Sequence, residues 1–410
     1  MKVRFNLKSF DIDTTKKNIT DYQGNELITA TLESFLSLIS SKYLYNEFES
    51  VEIHHTRFAN ITNNYRHYLN YLRDKNVILI DESYEKGVHS KSYLFTDHFK
   101  EYATICAFKV DPKDNLREDE SPYTIDKMVC EKIGGDFNCV KIKPGPVEKA
   151  IRFIKDGQTV VNFRNYLMNE YSLYRLRNTP RVLRWRSGRL YTPFVQLSRP
   201  IRCNHLYFDS QLTSLDIKRS FPLWLVVWLI DKDIPLDYET NEFIAAVLSE
   251  NIYQDLMNKF NNNKNLCNKT EFEKPFINKN QVKKYFGIWL NGNNNLNNLS
   301  NLMFKTYFPT IFDCVKQFKN GEKDKMYHTL VKLETDFIFN KVCKRVYNEI
   351  PGIQLLTCHD EIYFEERFYE QVLKIWAEEL EKVYEKIPVN HTTEFDFDDS
   401  DLEMLGIFLE

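Results

Sequence analysis

The sequence predicts an α+β chain of more than one domain. Three observations predict it. Helix-period stretches at Ile28–Leu44 and Asn63–Lys75 run into a strand–turn–strand segment, Val77–Phe95. An apolar strand breaks into a helix within Leu212–Ile230, and a helix, a hairpin and a second helix follow one another over Asp324–Ile387. At roughly 150 residues per domain, a chain of 410 residues calls for two or three units. Apolar types make up 43% and charged types 28%, which permits a packed core and excludes global disorder. No run approaches the ~18–20 uninterrupted apolar residues of a membrane span, and Met1–Phe10 lacks an apolar signal core. The expectation is a soluble, cytoplasmic protein with no membrane partner.

The eight cysteines never fall at CxxC spacing, and none pairs with a nearby histidine as a zinc site would, so they read as reduced core residues. A net charge of −3 names no partner, but its distribution does: Ser172–Arg202 holds eight arginines and no Asp or Glu. Glycine is scarce at 12, and Met257–Asn301 carries 15 asparagines; an AT-biased genome, such as that of a phage or mobile element, is the plain expectation for the asparagines, and a structural role is the alternative.

The elements follow in order. In Asn63–Lys75, Tyr65, Leu69 and Leu72 share one face behind a possible N-cap at Asn63 or Asn64; Val77–Asp81, a turn around Glu85–Gly87 and Lys91–Phe95 then make a hairpin. Helices followed by a basic-tipped hairpin resemble a winged helix-turn-helix over residues 1–110. That resemblance implies a recognition helix carrying Arg66 and a wing carrying Lys86, His89 and Lys91, set to contact DNA. A small helical bundle with an ordinary hairpin is the plainer alternative, and winged helices also serve as protein-binding modules. Residues 111–171 read as a connector: Asp111–Pro146 is polar and Pro/Gly-punctuated, and Val147–Asn169 is helical. Three further segments are expected: 172–235 with the arginine tract and the strand–helix, 236–322 as an insertion, and 323–410 with the helix–hairpin–helix and an acidic tail. No internal repeat is visible.

Two acidic positions carry the candidate chemistry. Leu212–Ile230 sets Asp216 at the end of an apolar strand, after which Ser220 can cap a helix with Pro222 in its first turn. A carboxylate there can hold a cation while the helix N-terminus favours an anion. In Gln354–Glu366, apolar runs flank His359–Asp360–Glu361, which places both carboxylates at the bend of a hairpin. Two aspartates brought together from distant strands suit a pair of divalent ions ~3.5–4 Å apart. For Asp216 taken alone, a structural cap or salt bridge serves as well.

In order and flanks these stretches resemble the family A DNA polymerases, which are related to the single-subunit phage RNA polymerases. Leu215–Asp216–Ile217 is similar to the family's first palm motif, a strand ending in aspartate before a helix. His359–Asp360–Glu361 is similar to its third. Gly188–Phe194 (GRLYTPF) is similar to the Gly-Arg-Ile-His-Thr stretch upstream, and Leu330–Val346 occupies the place of the helix leading into the third motif. The resemblance covers Ser172–Ile387. It implies a polymerase palm, an antiparallel sheet with flanking helices, together with small helical fingers. It also implies two Mg²⁺ ions, with Mn²⁺ as a substitute, on Asp216 and Asp360, with Glu361 in support and His359 positioning the turn. The chain departs from the family at the central motif: in Asn278–Gly292, Lys279 and Lys283 have the spacing but no arginine stands there, and Phe286–Gly287 is one residue out of register. Lys283 or Lys284 is the candidate for the triphosphate and Tyr285 or Phe286 for the base; an exposed basic helix is the alternative. No exonuclease half is recognisable.

Family A DNA polymerases place a bulky side chain five residues after the first aspartate, which here is Phe221, so the resemblance implies deoxynucleotides; core packing is the plain alternative. Ser220–Phe221–Pro222 is also similar to the Ser-Leu-Tyr-Pro stretch of another polymerase family, whose Asp-Thr-Asp motif is absent. Arg175, Arg177, Arg181, Arg184, Arg186, Arg189, Arg199 and Arg202, interleaved with Tyr174, Trp185, Tyr191 and Phe194, suit a primer–template contact. The acidic cluster Glu394–Glu403 reads as a solvated tail. The expectation is a template-dependent nucleotidyltransferase, a DNA polymerase extending a primer with dNTPs and working with replication partner proteins. The alternatives are an RNA-synthesising primase or phage-type RNA polymerase using NTPs, a non-catalytic DNA-binding replication or regulatory protein, and a two-metal nuclease.

Overall fold

A computed structural model of the chain describes residues 2–45, 50–81, 83, 90–109, 125–143, 160–178, 184–186, 189–249, 251–263, 276, 278–293, 295 and 298–387. It has mixed α+β architecture and divides into two units, each assembled from separate stretches of sequence. One takes Met1–Glu118, Val140–Arg184 and Tyr191–Tyr207; the other takes Asp119–Cys139, Trp185–Leu190 and Phe208–Glu410. Among the described residues no helix is long and apolar enough to cross a membrane.

In the first unit, helix Thr29–Tyr45 buries Leu32, Phe35, Leu36, Ile39 and Tyr43 at helical spacing. Helix His55–Ala59 follows, and then helix Tyr65–Asp74, which buries Tyr68, Leu69, Tyr71 and Leu72 and exposes Arg66, Asn70 and Arg73. Strands Ile78–Asp81 and Ser92–Phe95 pair antiparallel, and the short strand Val51–Glu52 adds on the far side of Ser92–Phe95. Aromatic rings fill the core: Phe95 stacks on Phe99 at 4.6 Å, and Phe35 meets Phe58 at 5.1 Å. The first unit also takes in later stretches of the chain. Strand Lys2–Asn6 pairs with Thr104–Lys109, and the Tyr166 hydroxyl on helix Val160–Asn178 accepts the Ile105 N–H at 3.2 Å. The expected helix start at Val147, and Lys86 and His89 of the wing, lie outside the described residues.

The second unit is organised on a three-stranded antiparallel sheet with Glu361–Glu365 in the centre, Leu212–Asp216 on one side and Leu356–Cys358 on the other. A helical rod runs from Lys325 to Glu349, with a π-helical stretch at Asp336–Cys343. Helix Ser220–Asp231 is almost wholly buried, which explains why its apolar residues show no single stripe. Helices Tyr238–Leu248, Ile252–Asn262, Lys279–Asn291, Leu299–Tyr307 and Pro309–Lys319 form the insertion. Helix Tyr369–Tyr384 buries Val372, Ile375, Trp376 and Leu380.

The stretch expected to be a plain connector contains helix Lys127–Cys139. Its Val129, Ile133 and Phe137 are buried one turn apart, and Asp136 accepts hydrogen bonds from the Tyr347 hydroxyl (2.5 Å) and the Leu355 N–H (2.8 Å). Gly134–Gly135 hides this helix in the sequence, because glycine there weakens the helical signal. No described cysteine forms a disulfide, but only Cys343 and Cys358 among them are buried.

Candidate active site

The sheet register decides where the two acidic motifs meet. Asp216 is the direct partner of Glu361, and the Ile217 N–H donates to the Asp360 carbonyl at 3.2 Å. Directly opposed residues of an antiparallel pair share a face, so Asp216 and Glu361 project together, with Asp360 one position away in the turn. His359 takes the left-handed backbone, φ 61°, and this reversal leads the chain from Cys358 back into Glu361. Glu361 is buried and accepts the Tyr363 hydroxyl at 2.5 Å. Burial pushes the Asp360 carboxyl above its usual range; the positive charges of Arg189 and Lys283 pull it back, and Glu361 adds to the rise. Tyr253, on helix Ile252–Asn262, also feels Asp360: burial pushes its phenol up, Arg219 opposes that, and Asp360 reinforces it.

Beyond Asp216 the chain turns through Arg219, another left-handed residue (φ 60°), whose guanidinium donates to the Val247 carbonyl. Ser220 does not cap the helix as expected. It is the first helical residue, and its hydroxyl donates to Glu334 Oε2 at 2.6 Å. Glu334, only 1% exposed on helix Lys325–Thr335, also receives the Arg189 guanidinium: Nε at 3.0 Å and Nη2 at 2.7 Å on Oε1, Nη2 at 3.0 Å on Oε2. Burial drives the Glu334 carboxyl up, Arg189 pulls it down, and Asp360 adds to the rise. Burial also works against charge on Arg189, but Glu334, then Tyr327 and Asp360, outweigh it and hold the guanidinium charged. The Arg189 Cζ lies 5.2 Å from the Phe221 ring centroid and 5.7 Å from that of Tyr327, and those two rings meet edge-on at 5.5 Å.

The predicted site residues therefore sort into groups. Asp216, Asp360, Glu361, His359, Ser220 and Phe221 come together at one end of the sheet, and Lys283, exposed on helix Lys279–Asn291, sends its charge to Asp360. Lys284 is exposed on the same helix. Tyr285 is half-buried against Phe276, at 5.0 Å between centroids, and its carbonyl accepts the Ser300 hydroxyl. Phe286 is 1% exposed among Trp289 and Phe304, so the base-stacking alternative offered for it fails on burial.

The arginine tract does not act as one surface. Arg189 is half-buried with its guanidinium on Glu334, and Arg202 is buried: it donates to the Val195 carbonyl at 3.4 Å and lies over Phe194. Both guanidinium groups have partners inside the protein, Arg189 on Glu334 and Arg202 on the Val195 carbonyl. Arg177 and Arg199 are exposed; Arg181 lies outside the described residues, as do the side chains of Arg184 and Arg186. In the first unit Arg66 is exposed and Lys91 is half-buried beside strand Ser92–Phe95.

Sequence reasoning missed Glu334, Tyr327 and Tyr253. Glu334 had a signal: a carboxylate in the stripe of Met326, Leu330 and Val331 must be paired if that stripe is core.

Among the described residues no group of three or more His, Cys, Asp or Glu could hold a metal ion alone. Mg²⁺ ordinarily takes one or two carboxylates and completes its shell with waters and substrate phosphates. The hard oxygen donors of Asp216 and Asp360, with Asp360 kept short of solvation, fit that habit. No family model and no curated protein matches the chain.

Proposed function

We propose that the chain is a template-dependent nucleotidyltransferase, a DNA polymerase that extends a primer with deoxynucleotides, preceded by a winged-helix module. The supporting observation is the register that sets Asp216 opposite Glu361 and one hydrogen bond from the Asp360 main chain. It gathers two distant acidic motifs at the N-terminal end of helix Ser220–Asp231, where an anion is favoured. The three-stranded sheet and its helices then serve as the palm, and the helical insertion as the fingers. Asp216 and Asp360 would hold the divalent ions, which lower the pKa of a primer 3′ hydroxyl and offset the charge of the leaving pyrophosphate. Lys283, exposed and close enough for its charge to act on Asp360, would pair with the triphosphate. Phe221, half-buried, would lie against the sugar, where an aromatic edge would exclude a 2′ hydroxyl.

The first unit supports the DNA-binding part of the proposal by its order of elements. Helices His55–Ala59 and Tyr65–Asp74 precede a hairpin, and the exposed face of the latter carries Arg66, Asn70 and Arg73. Arginine and asparagine are the side chains that read guanine and adenine edges in pairs.

Primer extension with Mg²⁺ tests the proposal. Wild type lengthens a labelled primer, Asp216→Ala and Asp360→Ala lose extension by at least a hundredfold, and all three bind primer–template within a few-fold. A wild type that shortens the primer, or leaves it untouched while binding it, overturns the assignment.

A further inference from the structure

We propose that Glu334, Arg189 and Tyr327 form a clamp that fixes the Phe221 ring and so sets how strictly the enzyme rejects ribonucleotides; this rests on the polymerase function proposed above. A single aromatic side chain in the first turn of a helix has rotamer freedom, and a gate that swings discriminates poorly. Here the ring has two neighbours, and the start of its helix is tied down beside it. The Arg189 guanidinium lies over it at 5.2 Å, the Tyr327 ring abuts it at 5.5 Å, and the neighbouring Ser220 is tied to Glu334 at 2.6 Å.

Glu334 is the common anchor. One oxygen takes both Arg189 donors, the other takes Arg189 and Ser220, so one carboxylate fixes both the cation above the ring and the start of the helix that carries it. Glu334 is 1% exposed and the Arg189 side chain 15%, which makes the geometry exacting: a guanidinium that loses its carboxylate stays charged and must turn to another anion, and Asp360 is the other carboxylate whose charge acts on it. Removing Glu334 therefore frees the ring and turns Arg189 toward the acidic pair. Removing Tyr327 frees the ring alone. Neither residue has to touch the nucleotide; both act through Phe221, as positioning residues.

The test measures kcat and KM for a dNTP and the matching NTP in the full chain, for wild type, Phe221→Gly, Tyr327→Ala, Tyr327→Phe and Glu334→Gln. Ground-state affinities for non-hydrolysable deoxy and ribo analogues, titrated by fluorescence on primer–template, accompany them. Phe221→Gly defines the ungated limit. Tyr327→Ala and Glu334→Gln lose at least tenfold of the dNTP preference, mainly through a lower KM and tighter analogue binding for the ribonucleotide. Tyr327→Phe, which keeps the ring, restores most of the preference. Glu334→Gln additionally lowers kcat for both sugars, because Arg189 now competes for the acidic pair; should that variant not fold, the Tyr327 pair decides. An active wild type whose Tyr327→Ala variant keeps full discrimination overturns the clamp and leaves the polymerase function standing. A wild type without extension overturns both.

Discussion

Lysine 319 is 1% exposed, and its Nζ donates to the carbonyls of Trp289, at 3.1 Å, and Gly292. Burial pulls its ammonium down to about 8, with Asp324 opposing. In the unfolded chain the same group titrates at its ordinary value of 10.5. Between these two values the unfolded state holds more protons than the folded state, so this residue makes stability rise with pH across that window. The full effect is on the order of 3 kcal/mol, from ~1.4 kcal/mol per pKa unit. Urea denaturation of wild type and Lys319→Met should therefore show the wild type gaining on the variant from about pH 8 to 10.5. Parallel stabilities over that range would mean that the buried ammonium titrates like a solvated one. Arg219 and His359 make a related point about single residues. Each holds a left-handed backbone near an aspartate of the candidate site, and each such non-glycine position costs roughly 1–2 kcal/mol that surrounding contacts must offset.

Helix Lys279–Asn291 shows how an element is assembled from such residues. At its start Asn278 accepts the Gln281 N–H at 3.1 Å while the Gln281 side chain accepts the Asn278 N–H at 3.4 Å. Its last carbonyls receive Lys319. Asn278→Ala should cost about 1 kcal/mol in urea unfolding. Because Lys283 lies in the next turn, the variant should also raise KM for dNTP several-fold while leaving primer–template affinity near wild type; an unchanged KM would place Lys283 away from the triphosphate. Such local features were legible in the sequence. Periodicity and turn residues located Thr29–Tyr45, Tyr65–Asp74, Leu212–Asp216 and the terminal hairpin within a few residues, because each depends on neighbours along the chain. What escaped depends on partners far away in sequence. Ser220 reads as a cap until Glu334 draws its hydroxyl, Arg189 reads as a phosphate contact until the same carboxylate neutralises it, and helix Lys127–Cys139 is held by Tyr347 and Leu355.

The whole chain is two units whose proposed tasks need different chemistry, and that difference is measurable. On the proposed function, extension would depend on carboxylates in the second unit, and duplex binding by the first on exposed cations such as Arg66. A cation that pairs with phosphate releases a counterion, so its loss flattens the dependence of log affinity on log salt by about 0.9 per contact on B-DNA. A cation that pairs with a base edge leaves the slope alone and relaxes sequence preference instead. For Arg66→Ala, duplex affinity should fall several-fold, and the salt slope tells which contact was lost. Asp360→Ala should do the reverse, abolishing extension while leaving duplex affinity and slope intact. If Arg66→Ala changed neither affinity nor slope, the exposed face of helix Tyr65–Asp74 would not be the DNA-contacting surface. The first unit would then be better described as a protein-binding module, which the same order of helices and strands supports equally well.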